Sequence, residues 1–177
     1  MKRGELEHLI RAACQIADDD ELVIIGSQSI LGAVPDAPAS LLVSNEADVY
    51  PKNHPDRADL VDGTIGEGSP FHDTFGYYAQ GVAEETAILP RGWKTRLVPV
   101  RNANTRDCTG WCLEPHDLVV AKYLAGRDKD LRFGREALEH RIVAADTLLQ
   151  RLSETDVDEQ RRSLARARIE RDAKSIG

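Results

Sequence analysis

Four consecutive apolar residues, Leu22-Val23-Ile24-Ile25, three of them β-branched, run directly into Gly26-Ser27. A run this short and this uniformly apolar reads as a strand buried on both faces. Such a strand needs hydrogen-bonded neighbours at both edges and cover above and below, so the chain is committed to building a sheet around it.

The rest of the chain supplies the parts. Leu6, Leu9, Ile10, Ala13, Cys14 and Ala17 recur at helical spacing and predict an amphipathic helix over residues 3–18. Ser27 or its neighbour is expected to cap a short helix reaching Leu31 to Val34, and Pro35-Asp36-Ala37-Pro38 is a turn. Glu46 to Tyr50 is a second strand, stopped by Pro51. A helix is expected to start at Asn53-His54-Pro55-Asp56, with Ala58, Leu60, Val61 and Ile65 as its apolar side, and the segment Gly66 to His72 reads as a surface loop. Tyr77 to Val82, Thr86 to Leu89 and Arg96 to Val100 read as further strands. From Pro115 the pattern becomes helical: a helix through Gly126, a bend at Arg127-Asp128-Lys129-Asp130, then Leu131 to Leu138, Val143 to Leu152 and a highly charged stretch from Asp156 to Ala173. That order predicts an α+β fold, with a mixed β-sheet and flanking helices over residues 1–113 and a C-terminal helical cap over 114–177 packed on it.

Composition narrows the class. With 41% hydrophobic and 30% charged residues the chain is an ordinary globular protein, and no apolar run reaches membrane-spanning length. The N-terminus lacks the apolar core of a secretory signal, and three cysteines without framework spacing suit a reducing compartment, so a cytoplasmic location is expected. Cys108, Cys112 and His116 stand four apart, which invites a metal reading; a structural zinc normally takes four ligands, and the alternative is two loop or strand thiols beside a histidine at the start of a helix. A net charge of −7 argues against a general grip on nucleic acid. Arg91, Lys94, Arg96, Arg101 and Arg106 have no acid among them, so they form either a local basic groove or a solvated strand and loop. Trp93 and Trp111 flank this segment and suit either RNA contact or core anchoring.

The chemistry gathers at two places. Gly26-Ser27, with Ser29 two residues on, would offer backbone N–H groups and hydroxyls to phosphates. Glu46 and Asp48 lie two apart on a strand, hence on one face, a spacing that suits joint ligation of a divalent cation. Together they point to phosphoryl or nucleotidyl transfer, with ordinary capping and solvent-facing acids as the alternative reading. His72 and the pair Tyr77-Tyr78 suit base contacts or, equally, local loop bonding and sheet cover.

The order of these parts resembles the DNA polymerase β-like nucleotidyltransferase superfamily, in which a Gly-Ser turn precedes a strand with paired acids. Downstream, Pro115-His116-Asp117-Leu118-Val119-Val120-Ala121-Lys122-Tyr123-Leu124-Ala125-Gly126-Arg127-Asp128-Lys129-Asp130-Leu131 is similar to the helical signature of the AbiEii and MenT-like toxin branch. The resemblance implies that Gly26, Ser27 and Ser29, with Arg127, hold an NTP, that Glu46 and Asp48 bind Mg²⁺, that Lys122 offsets phosphate charge, and that Asp130 orients Lys122 or binds the acceptor. It implies a cleft between sheet and helical cap, transfer of a nucleotide to a tRNA end or a protein hydroxyl, and a toxin-like role with a cognate antitoxin as partner and no membrane. Three departures accompany it: Glu46 replaces the usual aspartate, the spacing from Gly26 to Glu46 is long, and no later predicted strand carries a third acid. They favour the alternative of a catalytically inactive nucleotidyltransferase fold that binds a nucleotide, RNA or a protein partner.

Overall fold

The computed structural model describes residues 1–176, which gather into two compact units. The first comprises residues 1–86 and 97–113; the second comprises residues 87–96 and the chain from Glu114 onward.

In the first unit, helix α1 (Arg3–Ala17) leads into strand β1 (Glu21–Ile24). A 3₁₀ turn at Ser27–Ser29 then runs into the single-turn helix α2 (Ile30–Ala33). Strand β2 (Glu46–Pro51), helix α3 (Ala58–Ile65), helix α4 (Pro70–Phe75) and strand β3 (Tyr78–Gly81) follow. Strands β4 (Val98–Val100) and β5 (Thr109–Cys112) complete a five-stranded sheet in the order β3-β2-β1-β5-β4. β1 runs antiparallel to β2 and parallel to β5, so the apolar run is the centre of the sheet. β2 pairs with β3 in parallel and β4 with β5 antiparallel.

The two faces of this sheet differ because side chains alternate along each strand. Leu22, Ile24, Ala47, Val49, Ala79 and Cys112 are buried on one face. α1 and α3 pack there so closely that a Cβ on Gly110 would stand 2.4 Å from Ile10 Cδ1, and one on Gly81 would stand 2.1 Å from the carbonyl oxygen of Ala58. The opposite face carries Glu46, Asp48, Tyr78 and Gln80, with Glu46 paired to Tyr78 and Asp48 to Gln80 in register. Beside them Trp111 donates its indole N–H to Glu21 Oε1 at 2.7 Å, and Lys52 bonds the same carboxylate at 2.8 Å, which anchors Trp111 to the sheet.

Several expectations are corrected. Thr86 to Leu89 is no strand: a 3₁₀ turn occupies Glu84–Thr86, and the chain passes into the second unit, where Pro90 bridges Thr155. β5 lies outside the predicted strands, because Gly110 lowers strand propensity; the glycine is there because Ile10 leaves no room for a side chain. Within the expected loop, Ser69 caps α4 by accepting the His72 N–H, with Pro70 at the first helical position. Leu60 faces solvent, 52% exposed, while Ala58, Val61 and Ile65 are buried. Of the two residues expected to cap here, Gly26 rather than Ser27 holds the capping position, with no side-chain bond, and Ser27 begins the 3₁₀ turn.

The second unit contains helices α5 (Pro115–Ala125), α6 (Asp128–Glu139), α7 (Ala145–Ser153) and α8 (Glu159–Ile176), which pack on one another. Glu114 starts α5 by accepting the N–H groups of His116 and Asp117, and Gly126, at φ +69°, ends it in the left-handed region. Asp117 is fully buried and receives Arg96 Nε at 2.8 Å and Nη2 at 3.0 Å, with Arg151 Nε 3.6 Å away. Arg96 is therefore a structural anchor rather than part of an open basic groove, and Arg101 stands 3.6 Å from Asp107. The metal reading of Cys108, Cys112 and His116 fails on the same kind of evidence. Cys112 is a core residue, while His116 bonds Glu114 through Nδ1 and accepts the Ala144 N–H at Nε2. Among the described residues no three His, Cys, Asp or Glu side chains gather to hold a metal ion, and no helix is long and apolar enough to cross a membrane.

Candidate active site

β1 ends at Ile24, and the Ile25 N–H bonds the carbonyl oxygen of Asp48, so the Gly-Ser turn leaves the sheet directly beside β2. The consequence appears at Gly26. A Cβ there would stand 1.8 Å from Asp48 Oδ2, so the carboxylate occupies the space that any other residue would fill. The turn and the second acid are thereby in contact, although 22 positions separate them in the chain.

The three polar side chains of the turn have different surroundings. Ser27 is half-buried, whereas Gln28 and Ser29 are wholly buried. Neither amide atom of Gln28 and not the Ser29 hydroxyl finds a hydrogen-bond partner among the described residues. Buried polar groups are nearly always paired, so this cluster is an exception that a purely structural turn does not call for. Gln28 carries no sequence signal beyond standing between two serines.

Glu46 and Asp48 are both half-buried on the polar face of β2. Tyr78, opposite Glu46 on β3, donates its hydroxyl to Glu46 Oε2 at 3.1 Å. Burial and the adjacent Glu46 carboxylate push the Tyr78 phenol up to about 12, so the hydroxyl stays protonated and remains a donor. The His72 ring lies 4.6 Å from the Tyr78 ring at an interplanar angle of 50°. His72 Nδ1 accepts the Gly68 N–H at 3.0 Å, which fixes the orientation of that ring within its own loop. Tyr77 points the other way, is buried, and bonds His8 at 2.6 Å.

In the second unit Lys122 and Asp130 meet across α5 and α6. Lys122 Nζ donates to Asp130 Oδ1 at 3.0 Å, and Arg127 Nε donates to Asp130 Oδ2 at 2.6 Å. Asp130 is 1% exposed. Burial alone would raise its pKa, but the hydrogen bond from Arg127 and the Lys122 ammonium outweigh it and hold the carboxyl below the usual aspartate range. Lys122 also lies 5.7 Å from the Phe133 ring centroid. It is thus oriented by Asp130 and Phe133 rather than extended along the surface, while the Arg127 side chain remains 62% exposed.

Comparison with known proteins bears on this arrangement. No curated protein and no solved structure matches the chain. The family described as Nucleotidyltransferase of unknown function (DUF6036) matches residues 4–172, from the first turn of α1 to the last turns of α8. A match of that extent takes in the Gly-Ser turn, both β2 carboxylates and the Lys122–Asp130 pair, and the chain belongs to this nucleotidyltransferase family.

Proposed function

We propose that the protein is a Mg²⁺-dependent nucleotidyltransferase that moves a nucleotide from an NTP to a hydroxyl of an RNA, such as a tRNA end, or of a protein. The observation that carries this reading is the contact between Gly26 and Asp48, with Glu46 on the same strand face. The donor set suits the ion: Mg²⁺ is commonly held by one or two carboxylates and completes its octahedron with water and substrate phosphates. Glu46 and Asp48 would hold it, and when bound it would draw charge from the phosphates and align the reacting oxygens. Gly26 and Ser27 would seat the triphosphate, while Ser29, which the resemblance assigns to the same role, is turned inward and wholly buried and supports the turn from within. Lys122, oriented by Asp130, would offset its charge, with Arg127 as a further phosphate contact. The acceptor hydroxyl attacks the α-phosphorus, its proton leaves to solvent or base, and pyrophosphate departs. The resemblance to the AbiEii and MenT-like branch supports a cytoplasmic toxin role with a cognate antitoxin.

One feature favours a second reading, a nucleotidyltransferase fold that binds without turning over. No third acidic, histidine or cysteine ligand joins the two β2 carboxylates among the described residues. Incubation with Mg²⁺, labelled NTPs and either total tRNA or candidate proteins separates the two readings. Label transferred by wild type and abolished in Asp48→Asn and Lys122→Ala establishes the enzyme. Nucleotide binding by wild type with no transfer to any acceptor overturns it in favour of the binding protein.

A further inference from the structure

Glu46 is a long side chain for a metal ligand on a strand. It has three rotatable bonds, so an untethered carboxylate would lose rotamer freedom on taking up an ion. The structure contains a tether. Tyr78 stands opposite Glu46 in the parallel β2–β3 register and donates to Oε2, which leaves Oε1 as the oxygen without that bond. Tyr78 is itself held: its backbone N–H bonds the Asn45 carbonyl oxygen, and its ring rests on His72, whose Nδ1 is fixed by the Gly68 N–H.

We propose that Tyr78 is a positioning residue that holds the Glu46 carboxylate in a single orientation for a divalent cation, and that His72 serves by keeping the Tyr78 ring in place. The inference rests on the reading of Glu46 and Asp48 as the cation's ligands. It assigns a purpose to the glutamate where the related pattern has aspartate: a longer arm is usable because a phenol on the next strand steadies it. An aspartate at this position would be one methylene too short to keep the Tyr78 bond.

Mn²⁺ is the probe, and its affinity for the protein is read by electron paramagnetic resonance of the free ion, with no nucleotide and no acceptor present. Asp48→Asn tests the underlying reading. Tyr78→Phe keeps the ring, the strand and the His72 contact while deleting only the hydroxyl, and urea denaturation verifies that it folds as wild type does. Loss of one such hydrogen bond predicts a roughly threefold to tenfold weaker Mn²⁺ affinity. In a Glu46→Asp background the same Tyr78→Phe change is expected to have no further effect. His72→Ala should weaken binding less, and not at all once Tyr78→Phe is in place. Mn²⁺ affinity unchanged by Tyr78→Phe, or weakened equally in the wild-type and Glu46→Asp backgrounds, overturns the positioning role while the metal reading stands. Wild-type affinity in Asp48→Asn overturns the metal reading and the positioning role together.

Discussion

At the scale of single residues, the most consequential is Gly26, and for its missing side chain rather than its backbone. Its φ of −82° is open to any residue, so no conformational strain forbids a substitution. What a Cβ would do is displace the Asp48 side chain, its carboxylate first. Gly26→Ala is therefore expected to destabilise by about 1–3 kcal/mol, since the added Cβ would also crowd Asp48 Cγ at 2.7 Å and Asp48 Cβ at 3.0 Å. The displacement should cost transfer activity on the order of tenfold to a hundredfold, as misplacement of a reacting group by about an ångström does. Paired urea denaturation and label-transfer assays check both halves. At this scale the sequence makes Gly26, Ser27, Glu46 and Asp48 visible through spacing and strand alternation. It presents Ser27 and Ser29 as equals, however, and only the 3₁₀ turn distinguishes them, by rotating Ser29 and Gln28 inward.

At the scale of elements, two glycines show how packing sets the sign of a substitution. Gly63 lies on the exposed side of α3 with open space around it, so Gly63→Ala should stabilise by about 0.5–1 kcal/mol through helix propensity. Gly81, at the end of β3, faces the Ala58 carbonyl oxygen of the same helix, a backbone atom that cannot rotate away. Gly81→Ala should destabilise by about 1–3 kcal/mol. Urea unfolding of the two variants, with opposite shifts in midpoint, is the measurement. The same physics explains which elements are legible. β1 and α1 announce themselves through composition and period, because their burial pattern is written in consecutive residues. β5 does not: its Gly110 reads as a break, and only Ile10 of α1, 100 positions earlier, makes it a requirement. Thr86 to Leu89 shows the converse, a run with acceptable strand residues that leaves the first unit through a 3₁₀ turn instead of joining the sheet.

At the scale of the whole molecule, buried and hydrogen-bonded carboxylates tie stability to pH. Burial raises the pKa of Glu7, Asp19 and Asp130, yet their hydrogen bonds outweigh it and hold all three below the ordinary range. For Glu7 the partners are Asn104, Arg3 and Asn102; for Asp19 they are the backbone N–H groups of Glu21, Asn53 and His54 with the Asn53 side chain. A depressed folded pKa means the unfolded chain binds protons first. The stabilisation is thus complete above the ordinary carboxylate range near about 4 and drains as pH falls through the folded values. His8, lowered by burial and by Arg11, acts in the same sense at a higher pH, while Asp117, raised by burial, opposes it. Urea midpoints are expected to decline from about pH 7 toward about pH 3 and to steepen below about 4, and Asp130→Asn should flatten that last part. A midpoint independent of pH over this range would contradict the assignment of these partners. Neighbours a few positions apart are enough to specify the class of fold, the buried central strand, the helical character after Pro115 and the strand face shared by Glu46 and Asp48, so all four are legible in the chain before it folds. The fold in three dimensions sets that Asp48 rests against Gly26, that Tyr78 holds Glu46, that Arg127 joins Lys122 on Asp130, the pairing of the last two being what the family resemblance implied, and that Arg96 is buried on Asp117. Those contacts join residues remote in sequence or set by loop and helix packing, whose distances no local period encodes.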